Sequence, residues 1–376
     1  MSVAVRKEAS VTNTLSLVCT RPLIGSRTHE RDELAALVPH IGATPLATIE
    51  LLAPVRQRVH LKLESANPSG SMKDRSALEI IRDLERAGRL APGDTLVDST
   101  SGNFGVALAW LARARGYRFV AVSDPNLTAE NLERMRRLGA QVEIVTRRQG
   151  DAGYLPVRIE RARQLLAMTP RAVLADQYGN PANPRAYAET TGPELSRQVD
   201  GAPAALFVPA STGGMLAGLA AHCRRALPGT RVVAVDGEGS SLFGGRPGPR
   251  LINGLGSTRP SAFLDEDTCD EVVRVPAAMA VAYCRALRDA TGILAGGTSG
   301  AALAACELYV RAHGHAASMA CVCPDHGWNY RSTLFSDGWL RATGVAAAER
   351  PLIAPEWHAV DADGRPAAAA TLTSAP

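Results

Sequence analysis

Lysine is nearly missing from this chain. Of its 41 basic residues only Lys7, Lys62 and Lys73 are lysines, and the other 38 are arginines. A guanidinium stays charged and cannot serve as a free amine, whereas a buried lysine can lose its proton and attack a carbonyl. Any amine chemistry is therefore confined to three positions. An excess of one charge is lacking too: 41 basic against 37 acidic residues leave a net charge of +4, too mild for a nucleic-acid footprint. No apolar run approaches the roughly 18 residues of a spanning helix. The start, MSVAVRKEASVTNTLSLVCTR, has neither a continuous apolar stretch nor a cleavage site. These absences lead us to expect a cytoplasmic protein with no membrane and no nucleic-acid partner. The seven cysteines, scattered from Cys19 to Cys323, form neither a disulfide framework nor paired CxxC knuckles, so no metal is expected. They read as small buried hydrophobes.

With 376 residues, the chain is long enough for about two domains. From about residue 40 to 345, short β-branched runs alternate with helical patterns, the mark of parallel α/β sheets. TLVDST, RFVAVSD, QVEIVTR, AVLADQ, ALFVPAS, RVVAVDG and SMACVCPD read as strands, mostly apolar throughout as strands covered on both faces should be. In DRSALEIIRDLERAG, Ala77, Ile80, Ile81 and Leu84 make one stripe and Gly88 a stop; Thr128 and Gly139 bracket a second helix. Residues 1–39 are polar and weakly patterned, and the Ala- and Pro-rich stretch 346–376 has little to bury. Both are expected to be appendages, the second disordered.

Three segments carry chemistry. In NPSGSMKDRSA, residues 67–77, small residues lead through a strand-to-helix turn into Lys73, where the positive helix end disfavours the ammonium form. A solvated capping lysine is the plainer reading, and the phosphate-binding GxxxxGK[ST] pattern is not present. STSGNFG, residues 99–105, follows a buried strand and offers hydroxyls and helix amides to an anion such as a substrate carboxylate. PASTGGMLAG, residues 209–218, offers the same to a phosphate through Ser211, Thr212, Gly213 and Gly214. A phosphate cup together with a singular lysine is what pyridoxal 5′-phosphate requires.

KLESANPSGSMKDR, TSGNFG, NPANPRAYAETTGPE, STGG and ILAGGTSGAALAA, in this order, resemble the cysteine synthase and cystathionine β-synthase family of fold-type II pyridoxal-phosphate enzymes. The resemblance begins at HIGATPLATI and covers about residues 40–345. It implies a tryptophan synthase β-like α/β fold, two open, mostly parallel sheet domains with the cofactor in the cleft. Residues 40–66 and 179–345 would form the larger domain, and residues 67–178 the smaller, mobile, substrate-binding one. By the same resemblance Lys73 would hold the cofactor as an internal aldimine and act as the catalytic base. Asn103 would bond the ring's 3′-oxygen, Ser211, Thr212, Gly213 and Gly214 the phosphate, and Thr298 the ring nitrogen. Thr100, Ser101 and Gln177 would bind the substrate carboxylate, with Phe104 beside them and Gly254 near the amino group. A homodimer acting on small amino-acid substrates is implied as well.

Two departures bear on substrate. Phe104 stands where sulfide-using members commonly have threonine, and Met215 replaces a phosphate-loop threonine. GSSLFGGRPGPRLINGLGSTRP, residues 239–260, together with SGNFG, most resembles the branch that makes N-(2-amino-2-carboxyethyl)-L-glutamate for 2,3-diaminopropionate synthesis. The implied reaction is β-replacement on O-phosphoserine or O-acetylserine through an α-aminoacrylate, with an amino-acid amine such as L-glutamate as acceptor. A cysteine or S-sulfocysteine synthase using sulfide or thiosulfate is the alternative, and a serine/threonine dehydratase-like lyase a second one. Outside these motifs, Cys321 and Cys323 read as packed strand residues, His313 and His315 as a solvated loop, and His326 as a cap.

Overall fold

In the computed structural model, residues 27–52, 54–345, 351 and 353–360 are described. The strands are β1 (Leu46–Leu51), β2 (Gln57–Leu63), β3 (Thr95–Ser99), β4 (Arg118–Ser123), β5 (Gln141–Ile144), β6 (Ala172–Leu174), β7 (Ala205–Pro209), β8 (Arg231–Gly237), β9 (Glu271–Val275), β10 (Met319–Cys323) and β11 (Ile353–Val360). They make a seven-stranded sheet in the order β11-β1-β2-β10-β7-β8-β9 and a four-stranded sheet in the order β5-β4-β3-β6. The small sheet is parallel throughout. The large one is parallel from β2 through β9, with β1 antiparallel to both β2 and β11.

Coverage on both faces explains the strand sequences. Every residue of β3, β7 and β10 is buried, so these runs carry apolar side chains at consecutive positions and lack the alternation of a half-exposed strand. Cys321 and Cys323 pack into the large-sheet core as expected. The helix Lys73–Arg86 buries Ala77, Ile80, Ile81 and Leu84 in the small-sheet core, and Gly88 at φ +66° turns the chain away after it. Thr128 caps the helix Ala129–Arg137, its Oγ1 accepting from the Asn131 N–H at 3.3 Å.

Both ends differ from expectation. Within the segment expected to be an appendage, Arg27–Leu37 is a helix, and Leu34, Leu37 and Val38 pack onto the small-sheet core. Arg31 Nε also donates to the Ala114 carbonyl at 3.4 Å. Two leucines three apart suffice to seat one helical side, a signal too short to stand out among polar neighbours. Within 346–376, expected to be disordered, β11 pairs with β1 from Leu51 opposite Ile353 to Leu46 opposite Val360. It covers the edge that β1 would otherwise leave with unpaired backbone groups. His313 lies in no loop: it ends the helix Gly297–His313, with Nε2 3.0 Å from Glu271 Oε2. Lys7 and Cys19 lie outside the described residues.

A buried polar knot ties the large sheet to the turn that carries Lys73. Lys62, on β2, is fully buried and donates to the Thr44 carbonyl at 2.6 Å, Glu194 Oε2 at 2.7 Å and Gln198 Oε1 at 2.8 Å. Every proton of its ammonium group thus has a partner, which makes it structural. The carboxyl ends of β3, β7 and β10 open toward the Lys73 turn, the place where open α/β sheets bind ligands.

Candidate active site

Lys73 is the first residue of its helix, and the turn before it is fixed by short bonds. Gly70, at φ +79°, lets the chain reverse. Its N–H reaches the Asn67 carbonyl at 2.7 Å, and the Met72 N–H reaches the Pro324 carbonyl at 2.8 Å. Asp74 closes the turn, taking the Ser69 N–H at 2.6 Å and Trp110 Nε1 at 3.0 Å. Lys73 is half-buried and borders a cavity of about 490 Å³. Burial lowers its pKa to about 8, against the opposing charge of Asp325. A useful fraction of the amine is therefore neutral near physiological pH, and a neutral amine attacks carbonyls.

Thr100, Ser101, Asn103, Phe104, Gln177, Ser211, Thr212, Gly213, Gly254 and Thr298 line this same cavity. Gly214 does not. It lies against Asn183, whose Cγ would stand 2.5 Å from any added Cβ, so glycine here permits close packing behind the loop. The helix after that loop, Gly214–Ala226, makes its first bond from the Ala217 N–H to the Gly213 carbonyl at 2.9 Å. The amides of Gly214, Met215 and Leu216 thus have no helical partner, and a helix start of this kind favours an anion. The loop is braced by Ser211 Oγ on the Gly256 carbonyl at 3.2 Å and by Ser261 Oγ on the Thr212 carbonyl at 2.6 Å.

On the small-sheet side, Thr100 Oγ1 is buried without a hydrogen-bond partner. Gln177 Nε2 donates to the Ser99 carbonyl at 2.8 Å, so this amide holds the turn as well as facing the cavity. The loop 238–270, between β8 and β9, supplies the outer wall from Gly248 to Thr258. Gly254 has φ +84°, and Thr298 Cγ2 would be 3.5 Å from a Cβ built on it.

Several residues of the cavity wall carry no motif of their own. Asp325, just past β10, is 3% exposed. Its Oδ2 accepts from Asn103 Nδ2 at 2.6 Å and from the Tyr330 hydroxyl at 2.5 Å, and its Oδ1 from Thr298 Oγ1 at 3.2 Å. Burial raises its pKa, opposed by these hydrogen bonds and by the charge of Lys73. A Pro-Asp pair at the carboxyl end of an all-apolar strand was the available signal. Three arginines also line the cavity: Arg148, Arg158 and Arg250. Arg158 Nη1 is 3.2 Å from Asp124 Oδ2, while its buried Nε has no partner. His326 caps the short helix Gly327–Tyr330 by accepting from the Trp328 N–H at 3.1 Å.

The family model of pyridoxal-phosphate dependent enzymes matches residues 37–325. The chain belongs to that family. An N-(2-amino-2-carboxyethyl)-L-glutamate synthase from Ralstonia nicotianae is 41% identical over 323 residues, 84% of this chain and 96% of the relative. One of the same name from Cupriavidus metallidurans is 37% identical over 309 residues, covering 81% and 91% of the two chains. Among solved structures, an O-ureido-L-serine synthase superposes with a TM-score of 0.73 at 34% identity, over 81% of this chain and 98% of its own. An O-acetylserine-dependent cystathionine β-synthase from Helicobacter pylori gives 0.72 at 29% identity, over 79% and 97%. The fold is thus the fold-type II architecture, and the cofactor of this pyridoxal-phosphate enzyme is pyridoxal 5′-phosphate. The residues present fit it: a neutralisable lysine, a helix start with open amides, and the unpartnered Thr100 hydroxyl surround one cavity. Among the described residues no group of three His, Cys, Asp or Glu could hold a metal ion, and no helix is long and apolar enough to cross a membrane.

Proposed function

We propose that this enzyme replaces the β-substituent of an O-activated L-serine, O-phosphoserine or O-acetylserine, with the amine of an acceptor amino acid such as L-glutamate. When bound, pyridoxal 5′-phosphate carries the substrate's amino group covalently and withdraws electrons from Cα, loosening both the Cα proton and the β-substituent. Lys73 would hold the cofactor, and its amine would take up the substrate's Cα proton. The Ser211, Thr212, Gly213 and Gly214 turn binds the phosphate with the amides that open the following helix. Asn103 and Thr298 would hold the ring at its 3′-oxygen and its nitrogen, as the family resemblance implies. Thr100, Ser101 and Gln177 bind the α-carboxylate, with Phe104 beside it and Gly254 near the amino group. The segment 67–178 acts as a small domain that closes over the substrate against residues 40–66 and 179–345. A homodimer is the assembly the family resemblance suggests, and the cytoplasm the location suggested by the sequence.

The observation that carries the choice of acceptor is the arginine wall. Sulfide is a single atom and needs no such wall, and thiosulfate is one compact anion, whereas L-glutamate brings two separated carboxylates for the three cavity-lining arginines Arg148, Arg158 and Arg250. The names of the two bacterial relatives support the same acceptor. The test is a screen of L-glutamate, sulfide and thiosulfate against the enzyme charged with O-phosphoserine or O-acetylserine, with products identified by mass. Formation of the glutamate adduct supports the reading. Turnover with a sulfur acceptor alone, or prompt pyruvate without any acceptor, overturns it.

A further inference from the structure

One amide side chain bridges the turn proposed to bind the substrate α-carboxylate and the turn proposed to bind the cofactor phosphate. Asn183, in the short helix Ala182–Ala186, is 1% exposed and does not line the cavity. Its Nδ2 donates to the Gln177 carbonyl at 2.7 Å. A carbonyl only accepts, so this contact fixes the amide with its nitrogen toward Gln177. Gln177 is tied to β3 by its other groups, its N–H on Asp98 Oδ2 at 3.3 Å and its Nε2 on the Ser99 carbonyl at 2.8 Å. The Asn183 amide also lies against Gly214, where an added Cβ would stand 2.5 Å from its Cγ and 2.7 Å from its Nδ2. Four residues on, Gly218 sits against the Pro184 carbonyl. Two glycines one turn apart thus let the helix Gly214–Ala226 dock directly onto Asn183 and Pro184. Asn183 Oδ1 is buried without a hydrogen-bond partner. A bare buried amide oxygen is unfavourable and calls for a reason. A leucine of similar outline would remove it but would take the Nδ2 donor from the Gln177 carbonyl, and that donor is what asparagine supplies here.

We propose that Asn183 is a positioning residue that sets the carboxylate turn in register with the phosphate turn, so that the O-activated serine meets Thr100, Ser101 and Gln177 at a fixed distance from the cofactor's phosphate anchor. The two turns belong to different parts of the chain. Gln177 lies within 67–178, the segment proposed to close over the substrate, and Asn183 within 179–345, which carries the phosphate turn. The bond between them crosses that boundary at the point where the chain passes from one part to the other. It can therefore stay made as the segment closes, and the carboxylate turn swings about a point fixed to the phosphate helix.

The inference rests on the cofactor and site reading above, and the two fail differently. The test uses two readouts on holoenzyme. The absorbance change on adding O-phosphoserine or O-acetylserine without acceptor gives the apparent dissociation constant of that serine derivative. The phosphorus NMR resonance of the bound cofactor, recorded before any substrate, reports the phosphate turn. Asn183→Ala should raise the dissociation constant about tenfold, the scale of leaving one buried carbonyl unpaired. It should also displace the phosphorus resonance, because no amide then packs against Gly214. Asn183→Asp keeps the outline and can donate to Gln177 only when protonated. Its dissociation constant, taken relative to wild type at each pH, should rise as pH rises, a step that loss of packing alone would not produce. A dissociation constant or a phosphorus resonance unchanged in Asn183→Ala overturns the proposal, since Asn183 would then serve at most one of the two turns. Should Asn183→Ala not fold, the Asn183→Asp series decides, and a ratio that does not change with pH overturns the proposal. Covalent cofactor retained in Lys73→Ala would instead defeat the site reading itself.

Discussion

Arg75 and Glu194 meet through two parallel hydrogen bonds, Nη1 to Oε1 and Nη2 to Oε2, both 2.7 Å, with both side chains buried. The same guanidinium donates Nε to Glu64 Oε2 at 2.7 Å and Nη2 to Glu64 Oε1 at 2.8 Å. Arg75 stands two residues after Lys73, so this fork fastens the start of the Lys73 helix to Glu64, just past β2, and to the helix Gly192–Gln198. Truncating the arginine leaves two buried carboxylates short of a partner, with Lys62 alone to compensate Glu194. Arg75→Met is expected to lose about 3–5 kcal/mol of stability in urea unfolding, the range for breaking a buried ion pair from one side. A loss under about 1 kcal/mol would mean the knot contributes little.

The depressed pKa of Lys73 has two consequences for pH dependence. Capture of the cofactor aldehyde needs the neutral amine, so the rate at which apoenzyme takes up pyridoxal 5′-phosphate should rise with pH and level off above about 8. Asp325→Asn removes the charge that holds the ammonium form, and the midpoint should move down. Stopped-flow absorbance across a pH series reads both, and a midpoint near 10.5 would contradict the environment described here. Stability also rises with pH, but over a higher window. The unfolded chain holds its proton up to the ordinary lysine pKa, so burying Lys73 costs stability below about 8, and this cost fades as pH rises from there toward 10.5. Apo Lys73→Met should therefore melt at a higher temperature than apo wild type at neutral pH, with the difference shrinking in alkali.

The chemistry-bearing turns were legible because each is a local pattern: small residues after an apolar strand and before a helix need nothing from elsewhere in the chain. Lys73 and the Ser211 turn could be nominated for that reason, Asn103 and Thr298 were named through the family resemblance, and all four face one cavity. Asp325 could not, because its meaning lies in partners 222 residues away at Asn103 and 27 away at Thr298. The arginine wall was hidden differently. In a chain with 38 arginines, no single one is conspicuous until tertiary structure gathers Arg148, Arg158 and Arg250 around the same space. β11 escaped notice because its partner, the edge of β1, is about 300 residues earlier, and a lone peripheral strand has little apolar pattern to announce it.

Gly213 separates backbone geometry from side-chain chemistry in the turn proposed to hold the phosphate. It has φ +90°, and an added Cβ would collide with the Ser261 hydroxyl and lie 2.9 Å from Leu264 Cγ. Gly213→Ala must shift the loop 261–264 or the turn itself, a cost of about 1–3 kcal/mol for a strained left-handed residue. The expected outcome is a cofactor dissociation constant raised about tenfold or more, with a lower melting temperature in the holoenzyme. Fluorescence titration of apoenzyme with pyridoxal 5′-phosphate measures it. Wild-type affinity in this variant would show that the turn does not hold the phosphate.

Arg158 offers the cleanest separation of the two halves of the reaction. It lies on the helix Leu155–Met168, lines the cavity and is buried, with Nη1 3.2 Å from Asp124 Oδ2 and Nε without a hydrogen-bond partner. A buried cation with an unfilled hydrogen bond is suited to an anionic group arriving from solution, here an acceptor carboxylate. Arg158→Met keeps an apolar stem of similar length and removes the charge. If the residue binds the acceptor, KM for L-glutamate should rise about 10- to 100-fold, the scale of a charged hydrogen bond lost. The absorbance change on adding O-phosphoserine or O-acetylserine without acceptor should keep its rate, because that step does not involve the second substrate. Steady-state kinetics in L-glutamate, set beside single-turnover absorbance for the donor, distinguishes the cases. Equal loss in both halves would assign Arg158 to the architecture of the small sheet, where its bond to Asp124 at the end of β4 already places it.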